Sequence, residues 1–157
     1  MAWGEMRPKN ARSAWAERHR WQPIVREIRS RPMTRSEAYG LFESTPIAGL
    51  GPAYFTKLIF FLLQSNDGYI LDQWTGKSVS ILFEPCFIAF DHSGYVARRN
   101  SAHVYERYCR NVEALAERLD LAASRTEELL FSRGGRPKHP WRHYVVQNWK
   151  RSPARSV

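Results

Sequence analysis

The densest apolar run in the chain lies between Ala53 and Leu63, where Lys57 is the only charge. A run that is apolar on every face predicts a helix held in the interior, with the remaining elements packed around it. Immediately before it stands Gly49-Leu50-Gly51-Pro52, two glycines suited to positive φ or close backbone approach and a proline suited to a first helical position. Upstream, Thr34-Arg35-Ser36-Glu37 has the spacing of a capping box and opens a short helix carrying Ala38, Leu41 and Phe42. Residues 35–63 therefore read as helix, tight turn, helix.

The flanks are less regular. Met1 to Ser13 is polar and basic, after which Trp15, Trp21, Ile24, Val25 and Ile28 recur at roughly helical spacing. Pro23 predicts that this helix restarts there. Beyond the apolar run, Ser65-Asn66-Asp67-Gly68 is a turn cluster, Tyr69-Ile70-Leu71 a brief apolar connector, and Asp72 precedes a segment with Trp74, Val79 and Leu82. Residues 83–103 read as mostly irregular, with Phe87-Ile88-Ala89-Phe90 a short strand or extended piece. Val104, Tyr108, Leu115 and Leu119 form a helical stripe, and Ser124-Arg125-Thr126-Glu127 matches a second capping box, opening a helix closed by Gly134-Gly135. The expectation is one all-α domain over residues 1–157, with a basic tail from about residue 136.

Length and composition sharpen this picture. A chain of 157 residues that is 43% hydrophobic and 13% aromatic, with six Trp, can bury a core and is not a disordered polymer. Its net charge of +9 favours a polyanionic partner, nucleic acid ahead of a membrane surface. That charge is uneven: between Ile47 and Ile70 only Lys57 and Asp67 are charged, while both ends are rich in Arg. Cys86 and Cys109 have neither metal nor disulfide spacing, which suits the reducing cytoplasm. No apolar run is long enough for a membrane span, and no secretory leader is recognisable at the start.

The turn at Gly49–Gly51 has a chemistry of its own, because outward-facing amides at a helix N-terminus attract anions such as phosphate. The pattern Ile47-Ala48-Gly49-Leu50-Gly51-Pro52-Ala53, followed at a distance by Ile70-Leu71-Asp72, resembles the helix-hairpin-helix plus aspartate motif of the base-excision DNA glycosylase superfamily. Within it, GPAYFTKL and ILDQW are most similar to bacterial 8-oxoguanine DNA glycosylase-like proteins. The resemblance covers about Trp21 to Val79 and extends more weakly to Phe131. Superfamily members carry further helices before the hairpin, so the resemblance implies a chain that is N-terminally short and lacks part of the usual base pocket.

The resemblance also implies roles. Gly49, Leu50, Gly51 and Ala53 fall on the DNA-gripping hairpin, and the carbonyls of Thr45, Ile47 and Leu50 fall where the superfamily binds a monovalent cation, K+ or Na+. Asp72 matches the catalytic aspartate, which stabilises positive charge on the sugar or activates the nucleophile. The lysine of bifunctional members is matched by Ala53. Lys57, one turn later on the same face, leans back toward it and is the candidate amine. Arg98 and Arg99 are candidate phosphate contacts, as are Arg133, Arg136, Lys138 and Arg142. Tyr54, Phe55, Trp74, Tyr105, Trp141 and Tyr144 are aromatics of the kind that stack on an everted base.

The activity implied is excision of an oxidised purine, 8-oxoguanine, from duplex DNA by a monomer, with AP lyase activity through Lys57 and no organic cofactor. Each residue also has a plainer reading. The glycines suit an ordinary tight turn, Asp72 is a good helix cap, and Lys57 can extend to solvent or pair with Asp72. The same features would serve a non-catalytic DNA-binding module, or a helical interaction protein without chemistry.

Overall fold

A computed structural model describes residues 6–132 and 139–149. Among these, eight helices form one compact all-α unit: α1 Pro8–Ala16, α2 Arg18–Ser30, α3 Arg35–Ser44, α4 Pro52–Leu62, α5 Gln73–Leu82, α6 Ala102–Leu119, α7 Ala123–Leu130 and α8 Pro140–Asn148. The longest, α6, packs against α3, α5 and α7; α4 lies across α2 and α3, and α8 closes over α5. Tyr39 of α3 is the hinge of the core, stacked on Tyr105 of α6 at 4.7 Å and edge-on to Phe55 of α4 at 4.9 Å. Each such fully buried aromatic contributes roughly 1.5–3 kcal/mol through area removed from water.

The capping box at Thr34 forms as expected: the Thr34 hydroxyl accepts from the Glu37 amide, and the Glu37 carboxylate accepts from the Thr34 amide. The second one does not. Here α7 starts at Ala123 with Ala122 at its uncapped end, so Ser124 lies inside the helix. Glu127 is 1% exposed and turns inward, where its Oε1 accepts from the Ile70 amide. A buried connector needing an acceptor outcompeted a surface cap that water can replace.

Other departures have equally local causes. The break expected at Pro23 falls at Glu17, and Pro23 lies within α2. Pro23 and His19, whose carbonyl loses its helical partner, are both exposed, so water can substitute for the missing bond. Within the described part of the polar stretch before Ser13, α1 begins at Pro8, and it is tied to α2 by the Trp21 indole donating to the Ala14 carbonyl at 2.8 Å. The apolar helix α4 is not enclosed on every side. It buries Pro52, Phe55, Thr56 and Ile59, while Phe61 is 62% exposed.

Residues 87–89 have no regular secondary structure, and among the described residues a single antiparallel bridge joins Phe90 to Val96. Within the segment read as a basic tail, α8 is ordered: Val145 is buried, and the Trp141 indole donates to the Ser78 hydroxyl of α5 at 2.9 Å. Among the described residues no helix is long and apolar enough to cross a membrane.

Candidate active site at the α4–α5 cleft

The bend between α3 and α4 is closed by the Leu50 amide donating to the Ile47 carbonyl at 3.2 Å. Its two glycines do different work. Gly49 has φ +77°, and a Cβ there would lie 2.2 Å from the Asn10 carbonyl oxygen and 3.1 Å from the Ala14 nitrogen. Only glycine meets both demands. Gly51 has φ −82° and a Cβ there meets nothing within 4 Å, so neither of the two expected reasons for glycine, positive φ or close backbone approach, applies to it. Its small size leaves free space at the N-terminus of α4. That terminus has no side-chain cap, and among the described residues the amides of Gly49, Gly51 and Ala53 enter none of the bend's hydrogen bonds. The neighbouring Ala48 amide already holds an anionic group, the Glu17 carboxylate at 3.3 Å.

Leu50, by contrast, has its side chain in the core, its amide on Ile47 and its carbonyl on Arg98. The Nη2 of Arg98 donates to both the Ile47 carbonyl at 2.8 Å and the Leu50 carbonyl at 2.9 Å. Arg98 and Arg99 are otherwise exposed.

Asp72 reaches its position through a connector whose backbone is bound almost group by group to buried side chains. Tyr105 donates to the Tyr69 carbonyl at 2.8 Å, Tyr108 and Thr75 to the Ile70 carbonyl at 2.8 and 2.7 Å, and the Leu71 amide donates to Thr56 at 3.1 Å. The Asp72 Oδ1 then caps α5, accepting from the amides of Trp74 at 2.7 Å and Thr75 at 3.0 Å. With the residue 8% exposed, burial pushes its carboxyl above the ordinary range. The two amides, then Lys57 and Arg142, pull it part of the way back.

Asp72 and Lys57 line one open cleft of about 440 Å³, together with Gly49, Gly51 and Ala53 of the bend. Lys57 is half-buried, with its ammonium 5.6 Å from the centre of the Tyr54 ring. Of the candidate stacking aromatics, Tyr54 and Trp74 line the cleft; Phe55 and Tyr105 are core residues, Trp141 is bonded into α5, and Tyr144 is on the surface. Two cations lie over the Trp74 ring, the Arg142 guanidinium 3.7 Å and the Lys77 ammonium 4.8 Å from its centre. Arg142 is 7% exposed and also bonds the Phe131 carbonyl and the Ser132 hydroxyl, so it braces α8 against the cleft wall. Arg133, Arg136 and Lys138 lie outside the described residues.

Three participants escape a reading of the sequence. Arg7 and Tyr95 line the cleft and hydrogen-bond to each other across a long separation, which no local pattern signals. Glu127 shares a small enclosed lining with Asp72, Ile70, Thr75 and Phe131. Among the described residues its Oε2 is buried without a hydrogen-bond partner, and burial pushes the carboxyl up to about 8 despite the Ile70 amide. No group of three or more His, Cys, Asp or Glu converges on a metal position among the described residues.

A family model described as "Putative 8-oxoguanine DNA glycosylase OGG-like protein" matches residues 1–131. The chain belongs to this OGG-like family. No curated protein and no solved structure matches it. OGG-like membership implies DNA as the partner and base repair as the broad function, and the matched span contains the bend, Lys57, Asp72 and Glu127.

Proposed function

We propose that the protein is a DNA glycosylase that removes an oxidised purine, 8-oxoguanine, from duplex DNA, with the bend acting as a helix-hairpin-helix grip. The observation that carries this reading is the meeting of Asp72 and Lys57 in one open cleft beside the glycines of the bend. Its volume lies within the roughly 300–1,000 Å³ usual for small-molecule sites. The uncapped start of α4 supplies amides for a strand phosphate, and the neighbouring Ala48 amide donates to a carboxylate, that of Glu17. Tyr54 and Trp74 offer faces for an everted base. The reading places the protein in the cytoplasm as a monomer, in keeping with two free cysteines.

In the chemical step the Lys57 amine, once deprotonated, forms a bond to C1′ of the everted nucleotide as the glycosidic C–N bond breaks. The base leaves with that electron pair and takes up a proton. Asp72, a stronger base for being buried, is placed to accept the lysine proton and to stabilise positive charge on the sugar. The C1′–O4′ bond then breaks, O4′ taking up the proton that Asp72 received from Lys57, and the opened sugar is left as a protonated imine between Lys57 and C1′, the state from which strand cleavage proceeds. Ala53, standing where the resemblance puts the lysine, favours a second reading: Asp72 activates water and no imine forms.

Borohydride reduces an imine to a stable amine, so trapping on a duplex with a single 8-oxoguanine separates the two routes. Wild type is expected to trap, Lys57→Ala to lose trapping, and Asp72→Asn to lose base release. Base release without trapping would assign the water route. Binding with no release of base by the wild type would leave only a DNA-binding module.

A further inference from the structure

The carbonyl oxygens of Ile47 and Leu50 point to one spot, and that spot is taken by the Nη2 of Arg98, 2.8 and 2.9 Å away. A monovalent ion coordinated by these oxygens would have to displace two charge-assisted hydrogen bonds and sit against a like charge. Two of the three carbonyls that the resemblance assigns to the ion, those of Ile47 and Leu50 but not that of Thr45, are therefore already taken by a cation of the chain itself, and the pair does not fit an added ion. Arg98 is held in place rather than swinging into it by chance. Its loop is pinned by Asn100, 2% exposed, whose side chain bonds the Ala89 amide, the Ala89 carbonyl and the Ala97 carbonyl at 2.7–2.8 Å. The Tyr39 hydroxyl fixes the same loop through the Asn100 carbonyl at 2.9 Å.

We infer that Arg98 is the built-in cation of the DNA grip, so that the bend binds a strand phosphate without any added potassium or sodium ion. Carbonyl oxygens gathered on one side of a tight turn repel an approaching phosphate, and a positive charge between them reverses that field. Nη2 has two hydrogens and both are committed to carbonyls, which leaves the Nε and Nη1 donors of an exposed side chain for the phosphate. Asn100 is the positioning residue that presents the guanidinium. A tethered ion pays no cost of capture from solution, and it makes affinity blind to which monovalent salt is present. This inference rests on the proposed DNA grip.

The test uses the whole protein and a duplex carrying a tetrahydrofuran abasic-site analogue, with binding followed by fluorescence anisotropy. At fixed ionic strength, Kd is expected to agree within about twofold in potassium, sodium and tetramethylammonium chloride, since only the general screening of phosphate contacts remains. A loss of tenfold or more in tetramethylammonium, restored by potassium, overturns the inference and leaves the DNA grip standing; no binding in any salt sinks both. Arg98→Gln keeps an N–H donor for the carbonyls but no charge. It should bind about tenfold more weakly, with a slope of log K against log salt shallower by about 0.9, and Arg98→Lys should recover the slope. An unchanged slope in a folded Arg98→Gln overturns the inference. Should that variant not fold, the ion series on wild type decides alone.

Discussion

Arg35, at the start of α3, lies 7% exposed between Glu106 and Glu113 of α6 and donates as well to the Asp67 carbonyl at 2.9 Å. Its two acidic partners also hold or face further donors, among them Arg110 and Ser36 on Glu106. In the cleft between α4 and α5 the same materials are arranged differently. Asp72 is buried at a helix start, but beside a lysine, an open volume and a helix terminus without a cap. Two glutamates mark the contrast. Arg35 holds Glu106 down to about 2, whereas Glu127, under the cleft with one amide for company, is pushed up to about 8. A buried charge whose valences are all met locks two helices together, whereas Glu127, among the described residues, keeps one buried oxygen without a hydrogen-bond partner.

The largest effect that would sharpen this comparison is at Asp72. Asparagine caps a helix as well as aspartate does, so Asp72→Asn should melt within a few degrees of wild type. Base release in single turnover should fall by about 10²–10³, the loss usual for one electrostatic stabiliser of a transition state. An undiminished rate would break the contrast at its functional end.

Next in size is the pH dependence of stability. Glu127 ionises near 4.5 when unfolded and at about 8 when folded, so the folded state binds the extra proton in between. Stability should therefore be full below pH 4.5 and decline toward pH 8, by on the order of 4 kcal/mol, and Glu127→Gln should flatten that decline in urea titrations. Glu106 acts in the opposite sense: its contribution is present above pH 4.5 and lost as pH falls through about 2. Equal slopes in wild type and Glu127→Gln would show that the enclosed carboxyl is not the titrating group.

Arg35→Leu should cost about 3 kcal/mol in urea denaturation by leaving two acids without their shared guanidinium, while folded molecules keep their base-release rate. The glycines offer the smallest and most discriminating pair. Gly49→Ala should cost about 2 kcal/mol, because it strains a positive φ and strikes the Asn10 backbone. Gly51→Ala should leave stability within about 0.5 kcal/mol yet weaken duplex binding several-fold, since its methyl group projects where the phosphate is to approach. Equal losses of stability at both would erase the distinction between structural and ligand-facing glycine.

Much of the α3–α4 unit is local and was legible. The Thr34 box, the proline at the head of α4 and the Asp72 cap each form through contacts a few residues apart, so spacing alone carries them. The second box shows the limit. Ser124 to Glu127 has the same spacing, but Glu127 found a partner 57 residues away in the Ile70 amide. Similarly, Arg98 lies about 50 residues beyond the carbonyls it bonds, and Arg7 lies 88 from Tyr95. The exposure of Phe61 was hidden as well, because an apolar run does not say which of its faces the neighbouring helices can reach.

By itself, the sequence determined that the chain is helical, that a glycine-bearing bend precedes an apolar helix, and that an aspartate caps the helix after it. These follow from interactions within one or two turns, where the energetics depend on neighbours along the chain. Tertiary structure alone decided that Lys57 and Asp72 share a cleft, that Glu127 shares a lining with Asp72, and that a guanidinium occupies the carbonyls of the bend. Those arrangements arise only when helices far apart in the chain bury their polar groups against each other, and each buried group must then take whichever partner the packing brings within reach.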